Sequence, residues 1–185
     1  MQVRVLLSGG IDSACCVHFY KHAGHNVSAV FMDYGHSVRL QEENSAKRIA
    51  KHFAIPLNVV RSSGPPATFE GEIAGRNAFF LFACVLHAHG TDGLIAMGIH
   101  AGTSYYDCSE HFLDHSNALL SGYSDGKLAL AAPFLHWSKQ ALYKYCSVSG
   151  VPIELTWSCE IGPTVPCGRC LSCEDRAHLN VCKTK

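Results

Sequence analysis

The length, composition and charge of this chain fit one ordinary globular domain. With 185 residues, 48% of them hydrophobic, it can bury one core but not two comfortable ones, so we expect a single domain over residues 1–185. Its 15 Lys and Arg residues balance its 15 Asp and Glu residues, which excludes the basic field typical of nucleic-acid binding. We therefore expect no direct nucleic-acid partner.

The apolar runs of the chain are too short for a membrane span or a secretory signal. The longest, residues 78–86, has about half of the roughly 18 residues that a membrane-spanning helix needs. Near the N-terminus, the apolar residues 5–7 precede a glycine-rich break, and a signal peptide usually needs about 7 or more apolar residues. We expect a cytoplasmic protein with no membrane partner, whose 10 cysteines are metal ligands or reduced thiols.

The first half of the chain alternates apolar runs of strand length with helical repeats. Residues 3–7, 27–32 and 57–60 predict three strands. Between them, apolar residues recur at helical spacing, first at Cys16, Phe19, Tyr20 and Ala23 and then at Ala46, Ile49, Ala50 and Phe53. The order strand, helix, strand indicates parallel βαβ units.

The second half continues this alternation after a loop rich in glycine and proline over residues 61–76. The remaining predicted elements are a buried helix, two strands and a final amphipathic helix, over residues 77–89, 94–97, 128–131 and 138–147. Residues 98–111 are interpreted as an irregular polar and aromatic stretch. The pattern predicts a doubly wound parallel α/β sheet whose ligands lie at the carboxyl ends of strands one, two and four.

Residues 8–13, Ser-Gly-Gly-Ile-Asp-Ser, stand between the first strand and the first helix. Glycines let backbone amides approach an anion, and the helix N-terminus adds a partial positive charge, so the loop is suited to phosphate. It lacks the spacing and the lysine of a Walker A loop. Helix capping by Asp12 or Ser13 and a tight turn are the structural alternative.

Four cysteines near the C-terminus have the spacing of metal ligands: Cys159, Cys167, Cys170 and Cys173. Four thiolates suit tetrahedral Zn²⁺, and because they leave no open position, we predict a structural zinc-binding lobe over residues 156–185. An iron–sulfur cluster is the alternative for the same ligands. Arg169 and Arg176 are expected to offset the negative charge of the thiolates. The other cysteines are interpreted as buried or inert thiols: Cys15, Cys16, Cys84, Cys146 and Cys182.

The loop at residues 8–13 resembles the pyrophosphate loop of the N-type ATP pyrophosphatases, which cleave ATP between the α and β phosphates. The resemblance implies an adenine nucleotide alpha hydrolase-like fold in which the loop binds the phosphates of ATP through Ser8, Gly9, Gly10, Asp12 and Ser13. It also implies catalytic roles for Asp12 and Ser13, with Asp12 helping to hold Mg²⁺.

The end of the second predicted strand is the expected place of the adenine ring. Phe31 and Met32 end that strand and are therefore assigned to ATP binding, although core packing accounts equally well for Phe31. Beyond them, Tyr34, His36 and Arg39 are expected to border the site, with Glu42 one turn along the next helix. Lys139, at the start of the predicted final helix, is interpreted as a solvated surface residue.

Further segments extend the resemblance to the 7-cyano-7-deazaguanine synthase (QueC) family over nearly the whole chain. They are Asp33-Tyr34-Gly35-His36, Gly75-Arg76-Asn77, Gly98-Ile99-His100, Tyr106-Asp107-Cys108, Thr156-Trp157-Ser158-Cys159, and Pro166-Cys167-Gly168-Arg169-Cys170-Leu171-Ser172-Cys173 with Arg176. The resemblance implies conversion of 7-carboxy-7-deazaguanine and ammonia through the amide to the nitrile, driven by ATP with release of AMP and pyrophosphate. A zinc site near the C-terminus is typical of the family. The chain departs from it at His36, where the family more often has Gln.

Four residues are candidates for binding a deazaguanine acid: Arg76, Asn77, Tyr106 and Asp107. The Asp107 carboxylate can accept both adjacent donors of a guanine-like base, with Tyr106 or a neighbouring aromatic ring stacked on it. Arg76, also assigned to catalysis, would meet the substrate carboxylate or the phosphates where charge develops. The alternatives are helix capping by Arg76 and Asn77, and a solvated or capping carboxylate at Asp107.

Other functions remain open from the sequence. The segment between residues 60 and 75 is compact for the family, which suggests a relative that joins the adenylated acid to a macromolecular amine, as in defence or modification systems. A noncatalytic nucleotide-binding module is a third interpretation, and tRNA thiolation is disfavoured by the missing basic field. Apolar surface at residues 78–86 or on the zinc lobe is a candidate for pairing two subunits.

Overall fold

The computed structural model describes residues 1–62, 73–87, 92–102, 104–162 and 164–182. The strands of this part are β1 Gln2–Leu6, β2 Asn26–Asp33, β3 Leu57–Arg61, β4 Gly93–Ala96 and β5 Leu128–Ala131. The α-helices are α1 Ile11–His22, α2 Arg39–His52, α3 Arg76–His87, α4 Glu110–Ser124, α5 Lys139–Ser149 and α6 Leu171–Cys182. Short 3₁₀ turns lie at Tyr106–Cys108 and Ile153–Leu155.

The five strands form one parallel sheet in the order β3-β2-β1-β4-β5. The chain adds strands on one side of β1 and then crosses to add β4 and β5 on the other side. This reversal opens a crevice between the loops that follow β1 and β4, the place where doubly wound sheets bind their ligands. The predicted doubly wound parallel sheet is confirmed.

The core lies on both faces of the sheet, which explains why its strands are nearly continuous apolar runs. On one face, Val3 and Val5 of β1 and Phe31 of β2 pack with residues of α1, α2 and α5. On the other face, Leu6 and Met32 pack with residues of α3 and α4. Alternate residues of each strand thus enter different layers, and the sheet is fixed from both sides.

All five predicted strands are present, with ends shifted by one residue in several cases. The helix predicted over residues 77–89 is α3, and its residues 88 and 89 lie outside the described part of the chain. Most of the loop predicted over residues 61–76 also lies outside that part.

Two helices differ from the prediction. Helix α4 was not predicted, because its buried stripe alternates Phe112 and Leu120 with Ser116 and Ser124, which weakens the apolar periodicity. Its start is marked by Ser109, whose side chain accepts a hydrogen bond from the Phe112 N–H. The predicted final helix is not the last, because α6 follows it in the cysteine-rich lobe.

The interpretation of Cys15 and Cys146 as unpaired thiols is wrong. The structure joins them in a disulfide between α1 and α5, with Cα atoms 6.3 Å apart. The two residues are 131 positions apart in sequence, so no local pattern predicts the pairing. Cys16 and Cys84 are free and buried, as predicted.

Within the described part of the chain, no helix combines the length and the apolar character needed to cross a bilayer.

Candidate functional site

The loop between β1 and α1 is packed so closely that two positions require glycine. Gly9 has a φ of +86°, and a Cβ there would lie 2.5 Å from the backbone oxygen of Glu42. Gly98, just after β4, faces the other side of the loop, where a Cβ would lie 2.5 Å from the backbone oxygen of Asp12. The two glycines therefore allow the backbones of α2 and of the segment after β4 to pack directly against the loop, with no side chain between them.

Two serines hold the loop through internal hydrogen bonds. The Gly10 N–H donates to Ser8 Oγ at 3.3 Å, and the Ser13 hydroxyl donates to the Gly10 carbonyl at 3.0 Å. The Ser8 and Ser13 hydroxyl oxygens lie 3.1 Å apart. Gly10 is the residue before α1 and supplies no side-chain cap, so the positive N-terminus of the helix is available to an anion. The alternative in which Asp12 or Ser13 caps α1 does not describe this geometry.

Asp12 lies beside His100, a residue of the Gly98-Ile99-His100 segment to which the sequence assigned no role. His100 Nδ1 accepts the Gly102 N–H at 2.9 Å, so a neutral ring carries its proton on Nε2. That Nε2 lies 3.5 Å from Asp12 Oδ2. The Asp12 side chain is 38% exposed, which leaves part of the carboxylate open to a cation in the crevice.

Phe31 and Met32 lie at the carboxyl end of β2 with their side chains inside the core. Phe31 is 1% exposed and Met32 is 6% exposed, on opposite faces of the sheet. Core packing therefore accounts for both side chains. Their assignment to ATP binding stays a prediction. Because both side chains are buried, only their backbone groups at the carboxyl end of β2 are available to a nucleotide.

The start of α3 joins residues that are distant in sequence. The Asn77 N–H donates to Asp107 Oδ2 at 3.4 Å, and the Asn77 amide donates to the Asp107 carbonyl at 3.3 Å. Asp107 is buried, so it is not a solvated loop carboxylate. Its contact with the first turn of α3 agrees with capping, and Cys108 Sγ lies 3.8 Å from its other carboxylate oxygen, Oδ1. Its predicted role in reading a base is compatible with this position and remains a prediction.

Arg76 is partly buried and is not paired with an acid among the described residues. Its Nε is buried without a hydrogen-bond partner, and no described carboxylate lies within 4.0 Å of its guanidinium. The guanidinium carbon lies 6.0 Å from the ring centre of Phe80. Such a side chain suits the binding of an anion.

Tyr106 lies beside Asp107 with its ring largely exposed. Its hydroxyl lies 2.8 Å from His115 Nδ1, and its ring meets the buried Phe112 edge to face. Tyr105 is also exposed and lines a cavity of about 310 Å³ with Ala101 and Cys108. None of the four predicted substrate-binding residues lines this cavity, so the prediction of a stacked base stays a prediction.

The four cysteines predicted as metal ligands come together, with all four Sγ atoms within 4.8 Å of one another. Cys167 and Cys173 have their sulfur atoms 4.0 Å apart. A Zn–S distance of about 2.3 Å places the sulfurs of a tetrahedral site about 3.8 Å apart, so the cluster has the size of a site for one ion. In a [4Fe–4S] cluster each thiolate binds its own iron, which requires a wider arrangement.

The local backbone prepares part of this cluster to bind a cation. Burial raises the pKa of Cys159, but N–H groups of Cys167, Gly162 and Ile161 oppose this and lower it to about 6. The Gly162 and Cys167 N–H groups donate to its sulfur at 3.1 and 3.2 Å. Burial raises the pKa of Cys173 to about 12, so this thiol must lose its proton when a metal binds.

A short segment connects the cysteine cluster to the loop after β1. The Trp157 N–H donates to the Gly9 carbonyl at 2.9 Å, and the Trp157 indole N–H donates to the Cys159 carbonyl at 2.8 Å. Arg176 of α6 donates to the Ile153 carbonyl at 2.9 Å and to Thr156 Oγ1 at 2.9 Å. Arg176 therefore holds the segment over residues 153–157 through hydrogen bonds, in addition to lying near the thiols.

Lys139 is not the solvated surface residue that the sequence suggested. Its ammonium pairs with the Asp175 carboxylate of α6, and both side chains are about two-thirds buried. The pair ties α5 to the cysteine-bearing lobe, which explains why a lysine at the start of a helix is held in place.

The chain matches the protein family described as queuosine biosynthesis protein QueC over residues 2–64 and 58–180. It is 32% identical to the 7-cyano-7-deazaguanine synthase of Prochlorococcus marinus (strain NATL1A), covering 92% of this chain and 89% of the relative. It is also 32% identical to the corresponding synthase of Synechococcus sp. (strain RCC307), covering 92% of this chain and 90% of the relative. The resemblance drawn from the sequence is confirmed.

Solved structures share the fold at low identity. One, described as a predicted subunit of tRNA methyltransferase from Methanocaldococcus jannaschii, has a TM-score of 0.53 and 17% identity, covering 80% of this chain and 74% of that one. The U34-tRNA thiolase NcsA from Methanococcus maripaludis, solved with its [4Fe-4S] cluster, has a TM-score of 0.58 and 12% identity, covering 100% of this chain and 65% of that one. These likenesses support the predicted adenine nucleotide alpha hydrolase-like fold.

Proposed function

Because this chain belongs to the family of the queuosine biosynthesis protein QueC, we propose that it is an ATP-dependent ligase of the 7-cyano-7-deazaguanine synthase type. It adenylates 7-carboxy-7-deazaguanine, converts it with ammonia to the amide and then to the nitrile, and releases AMP and pyrophosphate. The observation that carries the proposal is the uncapped loop at the crevice between β1 and β4, with Asp12 half open beside it.

On the nucleotide side, the chain provides backbone N–H groups and the positive end of α1 for the phosphates of ATP. The half-exposed Asp12 carboxylate is a suitable ligand for Mg²⁺, which supplies charge neutralisation at the phosphates when bound. His100 Nε2 lies 3.5 Å from Asp12 Oδ2 and is suited to orient that carboxylate. The residues present therefore fit a magnesium–nucleotide complex.

On the substrate side, Arg76 meets the carboxylate of the acid, and Asp107 accepts the two adjacent donors of its base edge. Arg76 is the first residue of α3, and Asp107 lies in the turn Tyr106–Cys108, where Asn77 of α3 bonds directly to it, so the two ends of one small substrate are recognised by neighbouring segments. Arg76 then stabilises the negative charge that develops when the carboxylate attacks the α phosphorus. The exposed rings of Tyr105 and Tyr106 offer stacking.

The cysteine cluster is proposed as a structural Zn²⁺ site within a lobe over residues 156–185 of a single domain. Four sulfur ligands within 4.8 Å of one another fit one tetrahedral ion and leave no position for water or substrate. The metal therefore fixes the segment that carries Trp157, and chemistry on the substrate takes place elsewhere.

Mass spectrometry of one reaction tests the proposal. The full chain is incubated with ATP, Mg²⁺, 7-carboxy-7-deazaguanine and ammonium, and AMP is quantified beside the acid, the amide and the nitrile. We expect nitrile with AMP from the native chain and neither from the Asp12→Ala variant. Release of ADP, or full activity of that variant, contradicts the mechanism. Amide alone limits the activity to the first amidation, and AMP with no small-molecule product indicates a different nucleophile, such as a macromolecular amine.

A further inference from the structure

The segment after β2 contains a stacked pair of rings that the proposed function has not used. The rings of Tyr34 and His36 lie 4.1 Å apart, centre to centre, with 13° between their planes. His36 is 6% exposed, and its Nε2 lies 2.7 Å from Glu42 Oε2. Glu42 in turn lies with its backbone against Gly9. The Tyr34 ring is therefore supported by a chain of contacts that begins at the nucleotide loop.

The free edge of Tyr34 is directed to the start of α3. Its ring lies 5.2 Å from that of Phe80, and the Arg76 guanidinium carbon lies 6.0 Å from the centre of the same Phe80 ring, so the two side chains meet at this residue. Burial raises the pKa of Tyr34, although the Arg76 charge opposes this, so the hydroxyl keeps its proton at neutral pH. A guanidinium only donates hydrogen bonds, and a protonated tyrosine hydroxyl also has a hydrogen to donate, so both side chains can donate to the same anion.

The two side chains together present donors without a matching acceptor in the described part of the chain. The Arg76 Nε is buried without a partner, and no described carboxylate lies within 4.0 Å of the guanidinium. Taking a cation partly out of water is unfavourable unless an anion meets it. A carboxylate, with two oxygens and several lone pairs, accepts from an arginine N–H and a tyrosine O–H together.

We propose that Tyr34 is a second binding residue for the carboxylate of the substrate, acting together with Arg76, and that His36 and Glu42 are positioning residues that hold its ring. The inference rests on the proposed function and adds a source of specificity to it. The unit recognises the charged acid and contributes little to binding the uncharged amide or nitrile. The Tyr34 and Arg76 pair therefore favours binding of the acid over binding of the amide or the nitrile.

Equilibrium binding to the full, metal-loaded chain tests the role of Tyr34. Calorimetry is performed with 7-carboxy-7-deazaguanine and with the nitrile, each in the presence of Mg²⁺ and α,β-methylene ATP, which is not cleaved at the α–β position. The Tyr34→Phe variant is expected to bind the acid about tenfold more weakly, the size of one hydrogen bond to a charged group, and to bind the nitrile as native protein does. Tyr123→Phe, an exposed tyrosine on α4, is the matched control.

The positioning role of His36 is tested by comparing two substitutions. His36→Ala removes the stacking partner and is expected to weaken acid binding about threefold to tenfold. His36→Gln restores a planar group that donates to Glu42 and is expected to recover most of that loss. If His36→Ala bound the acid as tightly as His36→Gln does, His36 would have no positioning role.

The outcomes separate the inference from the function on which it rests. Native affinity of Tyr34→Phe for the acid, or an equal loss for acid and nitrile, overturns the role of Tyr34 and leaves the proposed function standing. A native chain that binds neither ligand contradicts the proposed function and the inference together.

Discussion

The two sides of the candidate site are built from different kinds of contact. The nucleotide side consists of backbone groups: Gly9 against Glu42, Gly98 against Asp12, and the Trp157 N–H on the Gly9 carbonyl. The proposed substrate side consists mainly of side chains from separate segments that meet at the first turns of α3. We therefore expect substitutions on the nucleotide side to change the fold and the phosphate site together, and substitutions on the substrate side to change recognition and leave the fold intact.

The largest expected effect comes from the cysteine cluster, which supports the nucleotide side. Cys159→Ser is expected to lose the bound metal and to lower the free energy of unfolding by several kcal/mol, because metal binding is coupled to folding. Elemental analysis and thermal unfolding measure both effects, with Cys84→Ala as a control for a buried cysteine outside the cluster. One zinc per native chain is expected. Detection of iron in place of zinc would contradict the proposed zinc site.

Gly9→Ala tests the backbone character of the nucleotide side. The added Cβ meets the Glu42 carbonyl at 2.5 Å, so the loop must shift, and a shift near 1 Å typically costs about 100-fold in rate. AMP formation and thermal unfolding are the measurements. Gly24→Ala is the matched control, since Gly24 also has positive φ, +78°, but no atom lies within 4 Å of its added Cβ. Equal effects of both substitutions would show that strain in φ, and not close approach, governs the loop.

Asp107→Asn tests the side-chain character of the substrate side. The amide keeps one acceptor for the Asn77 N–H but cannot accept both donors of the base, so we expect kcat/KM for the acid to fall roughly 10- to 100-fold. The affinity for ATP and the midpoint of thermal unfolding should stay near the native values. A parallel loss of ATP affinity would mean that the two sides are not separate.

Glu43 lies outside the nucleotide side and the substrate side, and its substitution is expected to have the smallest effect. Hydrogen bonding to Lys47, opposed by burial and supported by Arg61, lowers the pKa of its carboxyl below the ordinary 4.5. A carboxyl whose pKa is lower in the folded protein than in the unfolded protein stabilises the fold at pH values above its unfolded-state pKa. That stabilisation is lost as the pH falls through its folded-state pKa. Glu43→Gln is therefore expected to cost about 1 kcal/mol at pH 7 and progressively less below pH 4.5, measured by urea unfolding, with unchanged activity.

Local patterns predicted the fold, the position of the loop after β1 and the clustering of the four cysteines. The Ser-Gly-Gly-Ile-Asp-Ser stretch is contiguous and the cysteines are closely spaced, and the apolar runs predict each strand of the described residues. The nucleotide-binding role of the loop stays a prediction. The proposed substrate side was harder, because Tyr34 and Arg76, which both lie against Phe80, are 42 positions apart and meet through packing that no local pattern specifies. For the same reason neither the Cys15–Cys146 disulfide nor the His100–Asp12 contact was predicted.

The Trp157 N–H donates to the Gly9 carbonyl, and we expect this hydrogen bond to couple metal binding at the cysteines to nucleotide binding at the loop. If metal loading orders the segment that carries Trp157, it raises the affinity of the loop for ATP by some factor, and by reciprocity ATP raises the affinity of the cysteines for their metal by the same factor. A chelator should therefore remove the metal more slowly from the nucleotide-bound protein. The protein would then retain its metal best while it is turning over substrate.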